Sequence, residues 1–306
     1  MRSRLATVRR PVVTRAPAGA GHAIEFFCGA AALAGMGITG LPSFVAEDAL
    51  LENALERVLP QWHMLTTTLY AGLQRLNTPE RKILSVEDPV EYKIAGVNQV
   101  QVKPDIGLTF ANVLRSFLRH DPDVILVGEM RDLETARIAV QSALTGHLVL
   151  STLHTNDAAG GVTRLLDMGL EEYLLTSTVN GILAQRLVRK LCPDCKEPFQ
   201  ATPELIKEIR LRRFVPQGDI TLYKPIGCVS CGGMGYRGRL AIIEFLHMTD
   251  PVRKLIMAHE EAGTIQKLAI EEGMSTMFEN GLTKAVQGVT TIEEVMRVTS
   301  EALTEA

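Results

Sequence analysis

The sequence lacks a surplus of positive charge: 32 Lys and Arg stand against 35 Asp and Glu, a formal net charge of -3. That balance excludes a general nucleic-acid binder, which needs a basic surface against phosphates. Cysteine is scarce, and four of the five cysteines form two Cys-x-x-Cys pairs, Cys192/Cys195 and Cys228/Cys231. The pairing excludes a disulfide framework and suits a metal site in a reducing compartment; Cys28 stands alone and reads as incidental. Long, strongly apolar runs are also missing. Phe26 to Ala46 carries no charge, but Pro42 and four glycines interrupt it and Glu25 precedes it. A membrane span needs about twenty mostly strong apolar residues. Residues 1–24 hold five arginines and no acid, yet this leader reads as neither signal nor anchor, only as a poorly structured stretch. No repeat of fixed period occurs, and no low-complexity tract beyond the Ala/Gly leader.

What is present fills one large core or two modest ones, with 46% apolar residues over 306 positions. The organising stretch runs from Leu118 to Asp132. Val124 to Val127 are four consecutive apolar residues, the pattern of a strand buried on both faces of a parallel sheet, and they deliver Glu129 to its carboxyl end. Ligands of open α/β sheets bind at that edge. With Arg115, Arg119 and Arg131 nearby in sequence, a carboxylate there suits water activation against a charged phosphate ester. Ile83 to Val86 predicts a second strand, ending in Glu87 and Asp88, and His147 to Thr152 a third, with His154 just past it. Val97 to Val102 alternates like an exposed hairpin arm.

Helical spacing is predicted over Glu47–Leu59, which Pro60 breaks, and from Thr66 to about Leu76. Further helices are predicted over Phe110–His120, from an Asp132 cap to Leu144, after an Asp157 cap, and over Leu170–Leu191. Arg115 and Arg119, four apart, share one helical face and could reach a common anion. Strand and helix alternate, the signature of a parallel α/β sheet.

From Cys192 the composition changes. Five prolines punctuate residues 193–225, Arg210, Arg212 and Arg213 form a basic patch, and 32 residues separate the cysteine pairs. Each pair can close a tight knuckle around one tetrahedral ion, and four thiolates satisfy Zn2+ with no open position, a structural role. A zinc-dependent nucleic-acid binder rests on this patch and cluster alone. The expected organisation is an irregular leader over 1–46, an α/β core over 47–191, a tetracysteine subdomain over 192–240, and a helical region over 241–306 that completes the core, broken by Gly263, Gly273, Gly281 and Gly288.

Three motifs in order then resemble a known family over about residues 66–300. Val86-Glu87-Asp88-Pro89-Val90-Glu91-Tyr92 is similar to the Asp box of the secretion ATPases of type II secretion and type IV pili, most closely the type II secretion protein E family. Asp121-Pro122-Asp123 through Gly128-Glu129-Met130-Arg131-Asp132 resembles its Walker B motif, with glycine in place of the usual aspartate. Thr145-Gly146-His147 through Thr152-Leu153-His154-Thr155-Asn156 resembles its His box. The resemblance implies a RecA-like P-loop NTPase core binding ATP with Mg2+, Glu129 as catalytic carboxylate, Glu87 and Asp88 near magnesium, and His147 and His154 at the phosphate end. It implies that Arg115, Arg119 and Arg131 complete a site, some across a subunit boundary, because an arginine fork offers paired donors to phosphate. Thr66 and Thr67 would touch the nucleotide. It also strengthens the zinc assignment, and implies a homo-oligomeric ring, a hexamer, in the cytoplasm, peripheral to the inner membrane through its secretion platform proteins.

One part departs from the pattern. Where the family places G-x-x-x-x-G-K-[ST], this chain has Leu59-Pro60-Gln61-Trp62-His63-Met64-Leu65 before Thr66. Pro60 fits; no glycine survives, and Leu65 takes the lysine position. Side chains block the close approach to phosphate, and losing one electrostatic donor alone commonly costs about 10² to 10³ in rate. ATP binding is therefore expected to be weak or absent. The strand before the loop and the family's amino-terminal domain also read as missing. Two explanations stay open: a gene truncated and frameshifted upstream of Thr66, which the unusual leader favours, or a paralogue that traded hydrolysis for scaffolding.

Overall fold

The computed structural model describes residues 24–28, 70 and 72–299. The expected helix over 47–59, the loop before Thr66, and Thr66 and Thr67 themselves lie outside the described residues. Among the described residues, nine strands fall in two sheets. Strands β1 (Ile24–Cys28), β2 (Ile83–Glu87), β3 (Val97–Gln101), β4 (Val124–Val127), β5 (Leu148–Ser151), β6 (Val179–Leu191) and β9 (Tyr236–His247) make the main sheet, in the order β3-β2-β4-β5-β1-β6-β9. Every neighbouring pair is parallel except β6 with β9. β7 (Lys196–Gln200) and β8 (Thr221–Pro225) pair separately.

The predicted strands form because their residues are apolar on both faces. In β4, Ile125 and Val127 join the larger core, with helices Phe110–Phe117 and Leu133–Leu144, while Val124 and Leu126 join a second cluster with Tyr70, Leu73 and Leu76. This period of two fixes the rest of the geometry, because on β2 it sends Ser85 and Glu87 to the same face as Ile83, toward Tyr70. Thr109, Asp132 and Asp157 cap their helices through the amides of Asn112, Thr135 and Gly160. The α/β class and the mainly parallel sheet are as expected.

Several expectations are corrected. Leu170–Leu191 is not one helix: Glu172–Thr178 is helical, and the chain then turns extended at Val179 into β6. A strand buried between two neighbours is as continuously apolar as a buried helix, so spacing could not separate them. Gly181 is needed there, since a Cβ would lie 2.5 Å from the Phe245 ring. Val97–Gln101 is a parallel edge strand on β2, not a hairpin arm. The leader is not irregular throughout, because Ile24–Cys28 pairs between β5 and β6. The boundary at 240 falls inside β9, and Gly263 and Gly281 lie within helices Ala262–Glu271 and Met277–Val286. Gly281 allows close helix contact: a Cβ there would meet Val295 at 2.4 Å.

The tetracysteine region shares its core with the C-terminal helices, as Ile209, Leu211, Ile220 and Leu222 pack with Leu282, Ala285 and Ile292. Buried Glu294 braces this junction by accepting from Arg189 at 2.5 Å and Arg297 at 2.8 Å. Among the described residues, no helix is long and apolar enough to cross a membrane.

Candidate functional site

The carboxyl ends of β2, β4 and β5 lie side by side, and short loops from them carry the candidate residues. Gly128 leaves β4 tightly against β2, since a Cβ there would meet Glu87 Cα and Val86 O at 3.2 Å. Its own amide donates to Val86 O at 2.8 Å, and Thr152 Oγ1 donates to its carbonyl at 2.6 Å. These contacts fix the turn that presents Glu129. The glycine in place of the usual Walker B aspartate thus gives β4 a close exit beside β2.

Glu129 is nearly buried and held between the exposed side chains of Arg131 and His154, with Arg131 Nη2 at 2.6 Å from Oε1 and His154 Nε2 at 3.1 Å from Oε2. Glu129 first, and the field of Asp88 less strongly, raise the Arg131 guanidinium's affinity for its proton. Three motifs far apart in sequence therefore meet at one place. A carboxylate so placed can orient water, and the Arg131 guanidinium and the His154 ring beside it offer donors to a phosphate group.

Glu87 is built differently. Its side chain is 3% exposed, and both oxygens are occupied: Tyr70 Oη donates to Oε2, while Ser85 Oγ and, at 3.1 Å, Gln99 Nε2 donate to Oε1. Burial and the Glu87 carboxylate together push the Tyr70 phenol above its usual range. Three donors on a buried carboxylate leave little for magnesium or its waters. Glu87 is a latch between the helix at 72–76 and the sheet; exposed Asp88 is the carboxylate with room for a cation's hydration shell.

The remaining predicted residues separate. His147 precedes β5, at the opposite end of the sheet from Glu129, and its Nδ1 lies 2.8 Å from Ser142 O. Parallel strands put the start of β5 beside the start of β4, so His147 cannot join the carboxyl-end cluster. Arg115 is paired with Glu134 at 2.5 Å. Exposed Arg119 makes no ion pair among the described residues, and it does not share an anion with Arg115. Ser151 Oγ and both polar atoms of Gln185 are buried without partners; Ser151 pairs with Phe26 in the β5–β1 register, and Gln185 follows Ala184, which pairs with Cys28.

Sequence reasoning missed Tyr70, Ser85, Gln99 and Glu244. The shared face of Ser85 and Glu87 was available from period two alone. Gln99 becomes a neighbour only through the Ser85↔Gln99 register. Glu244 accepts from the first amides of two helices, Ala158 N at 2.7 Å and Met277 N at 3.0 Å, and burial pushes its carboxyl up against that pull. It joins the segment after His154 to the C-terminal helices.

The four thiols form a second site. Sγ–Sγ distances are 3.8 Å for Cys192–Cys228, 3.9 Å for Cys195–Cys231 and 3.7 Å for Cys228–Cys231, and all four atoms lie within 4.8 Å of one another. Ligands about 2.3 Å from a tetrahedral zinc stand about 3.8 Å apart, so this set fits such an ion. Amides of Gly227, Cys228 and Gly235 donate to the sulfurs. Burial would raise the Cys231 thiol, but those of Cys228 and Gly235 outweigh it and bring it down to about 6. Burial pushes the Cys195 thiol up to about 12.

The mainly parallel α/β sheet, with Glu129 held by Arg131 and His154 at a strand tip and a four-thiol cluster beyond it, matches the class of secretion ATPases. Residues 65–297 match the type II/IV secretion system protein family. The chain is 62% identical over 237 residues to type II secretion system protein E of Xanthomonas campestris, covering 78% of this chain and 42% of that protein. It is 54% identical to type II secretion system ATPase E of Vibrio cholerae, covering 78% and 46%, and 50% identical to the type IV pilus assembly ATPase PilB of Thermus thermophilus, covering 76% and 26%. The chain thus spans less than half the length of these relatives. Among solved structures, the pilus retraction motor PilT with bound ADP superposes with a TM-score of 0.59 at 26% identity, covering 90% of this chain and 61% of that one. The chain belongs to the type II/IV secretion system protein family.

Proposed function

We propose that the chain is a subunit of the ATP-driven motor of type II protein secretion that retains the catalytic edge and the zinc subdomain but not the phosphate cradle. It binds and hydrolyses Mg-ATP poorly by itself and works as a member of a ring, hexameric as in the motor family, docked in the cytoplasm on inner-membrane platform proteins. The observation that carries this reading is the contact of Glu129 with both Arg131 and His154, set against a sequence with no Gly-Lys pair anywhere. Identities of 62% and 54% to two protein E relatives, above the 50% and 51% to two PilB relatives, support secretion, while other protein E relatives at 49–51% do not differ from PilB.

The described residues do not fit the whole nucleotide. Glu87 has both oxygens taken, and Ser151 Oγ and the Gln185 amide are buried with no hydrogen-bond partner among the described residues. Glu129, Arg131, His154 and Asp88 could still act on a phosphate presented from elsewhere, and Arg119 is free to serve a neighbouring subunit's site. Cys192, Cys195, Cys228 and Cys231 would hold Zn2+, which cross-links the subdomain and takes no part in hydrolysis. Isothermal titration with Mg-ATP and phosphate release by the purified chain test this: neither is expected at micromolar nucleotide, and mixed rings with an intact relative are expected. Micromolar affinity would overturn the loss of the cradle, and failure to enter mixed rings would overturn the ring assignment.

A further inference from the structure

β6 and β9 present two polar side chains side by side. Glu244 stands opposite Ala184, and Arg186 comes two residues further along β6, opposite Ile242, so the period of two keeps both on one face of the sheet. The last pair between β6 and β1 is Ala184 with Cys28. Arg186 therefore lies just past the carboxyl end of β1, on the side of the sheet where Glu129 sits. Both side chains grip the segment that runs from β5 to the helix Ala158–Asp167: Glu244 accepts from Ala158 N at 2.7 Å, and Arg186 Nη2 donates to Asn156 Oδ1 at 2.8 Å. The start of that segment is fixed against β4, where Thr152 Oγ1 donates to Gly128 O at 2.6 Å and Met130 N donates to Thr152 O at 3.1 Å. His154 stands between these anchors.

The His154 side chain is 81% exposed, and it reaches Glu129 at 3.1 Å. With so little packing around the ring, the path of the backbone decides whether that contact forms. Asn156 is exposed as well, so its bond to Arg186 is what ties this part of the segment to the sheet. Arg186 suits the task. It is half-buried and makes no ion pair among the described residues, so its charge is directed into the bond with Asn156. A charge-assisted bond of this kind is about twice as strong as a neutral one. Its base is rigid, because Gly181 to Gln185 of β6 are all buried.

We propose that Arg186 is a positioning residue for the catalytic edge: through Asn156 it holds the segment that brings His154 to Glu129. What this does for hydrolysis rests on the motor reading. The placement itself does not, and its test involves no nucleotide, so either can fail while the other stands. The test is NMR of the full chain with ring-labelled histidine, the His154 signal being identified by its loss in His154→Asn. In Arg186→Gln that signal should move to the position it takes in Glu129→Ala, and amide exchange at Thr155 and Asn156 should quicken about tenfold. Asn156→Ala, which leaves β6 untouched, should do the same. The double variant should move the signal no further, because the two residues act in one bond. Arg186→Lys keeps a charged donor and should undo at least half of the displacement. Arg137→Gln, which breaks an exposed ion pair with Glu171, should leave the signal in place. A His154 signal unmoved in Arg186→Gln or in Asn156→Ala would overturn the proposal. So would an equal displacement of His247, at the far end of β9, which would mean a general loss of packing and not a local grip. Should Arg186→Gln fail to fold, Asn156→Ala decides alone.

Discussion

The strand-tip edge and the tetracysteine cluster show two ways of building a site. The cluster takes its four thiols from two short knuckles, and the second knuckle supplies amide donors to sulfurs of both, so the site is complete wherever those segments fold together. The edge is assembled from β2, β4 and β5 and from the loops behind them, and its phosphate cradle would come from a further segment. Within this edge Glu129, Arg131 and His154 meet whatever the cradle segment is. A distributed site can lose its activity while keeping its geometry, whereas a local one keeps or loses both.

The comparison breaks most decisively if the cradle can be put back. Replacing residues 59–65 with a glycine-rich loop ending in lysine should raise Mg-ATP affinity or turnover by at least about 10², read by titration and phosphate release, and Leu65→Lys alone should not. In that restored chain, Glu129→Gln should abolish turnover and spare binding. No gain after grafting would mean that the edge, too, is defective.

The cluster should fail as a unit. Cys192→Ser is expected to abolish stoichiometric zinc in elemental analysis and to lower the melting temperature by on the order of 10 °C. Retained zinc would show that three thiolates suffice.

A smaller effect tests the link between the two regions. Glu244→Gln replaces one acceptor oxygen with an amide donor facing a helix amide, at Ala158 or Met277, and should cost about 1–3 kcal/mol in denaturant unfolding. An unchanged midpoint would remove Glu244 as the connection.

The smallest effect depends on pH. Burial pulls the Glu294 carboxyl upward, but Arg297 and Arg189 outweigh it and hold it far below its usual range. A depressed carboxyl contributes stability that is fully present above its unfolded value, about 4.3, and is lost as pH falls through the folded value. Melting curves from about pH 6 to about pH 3 should therefore fall more steeply for wild type than for Glu294→Gln. Parallel curves would show that the junction does not depend on this ion pair.

Much of the core was legible from residue order. Val124–Val127, Ile83–Val86 and the aspartate caps at 132 and 157 are local signals, and each element forms where expected. β6 was not legible, because strand and helix look alike when both faces are covered. His147 was misplaced for a related reason: a motif gives the order of residues but not the end of the strand at which each one sits. Arg115 and Arg119 share a helical face in sequence, yet the neighbouring helix supplies Glu134 and takes one of them away.

By itself the sequence determined the class of fold, the four cysteines that cluster, the glutamate at the strand tip and the lack of a glycine-lysine loop, since each is a property of residue type at short spacing. Only the tertiary structure decided that Glu87 accepts from Tyr70, Ser85 and Gln99, that His154 and not His147 meets Glu129, and that Val229 stands in the open. Those outcomes depend on strand register and on packing between segments distant in the chain, and neither is written in local sequence.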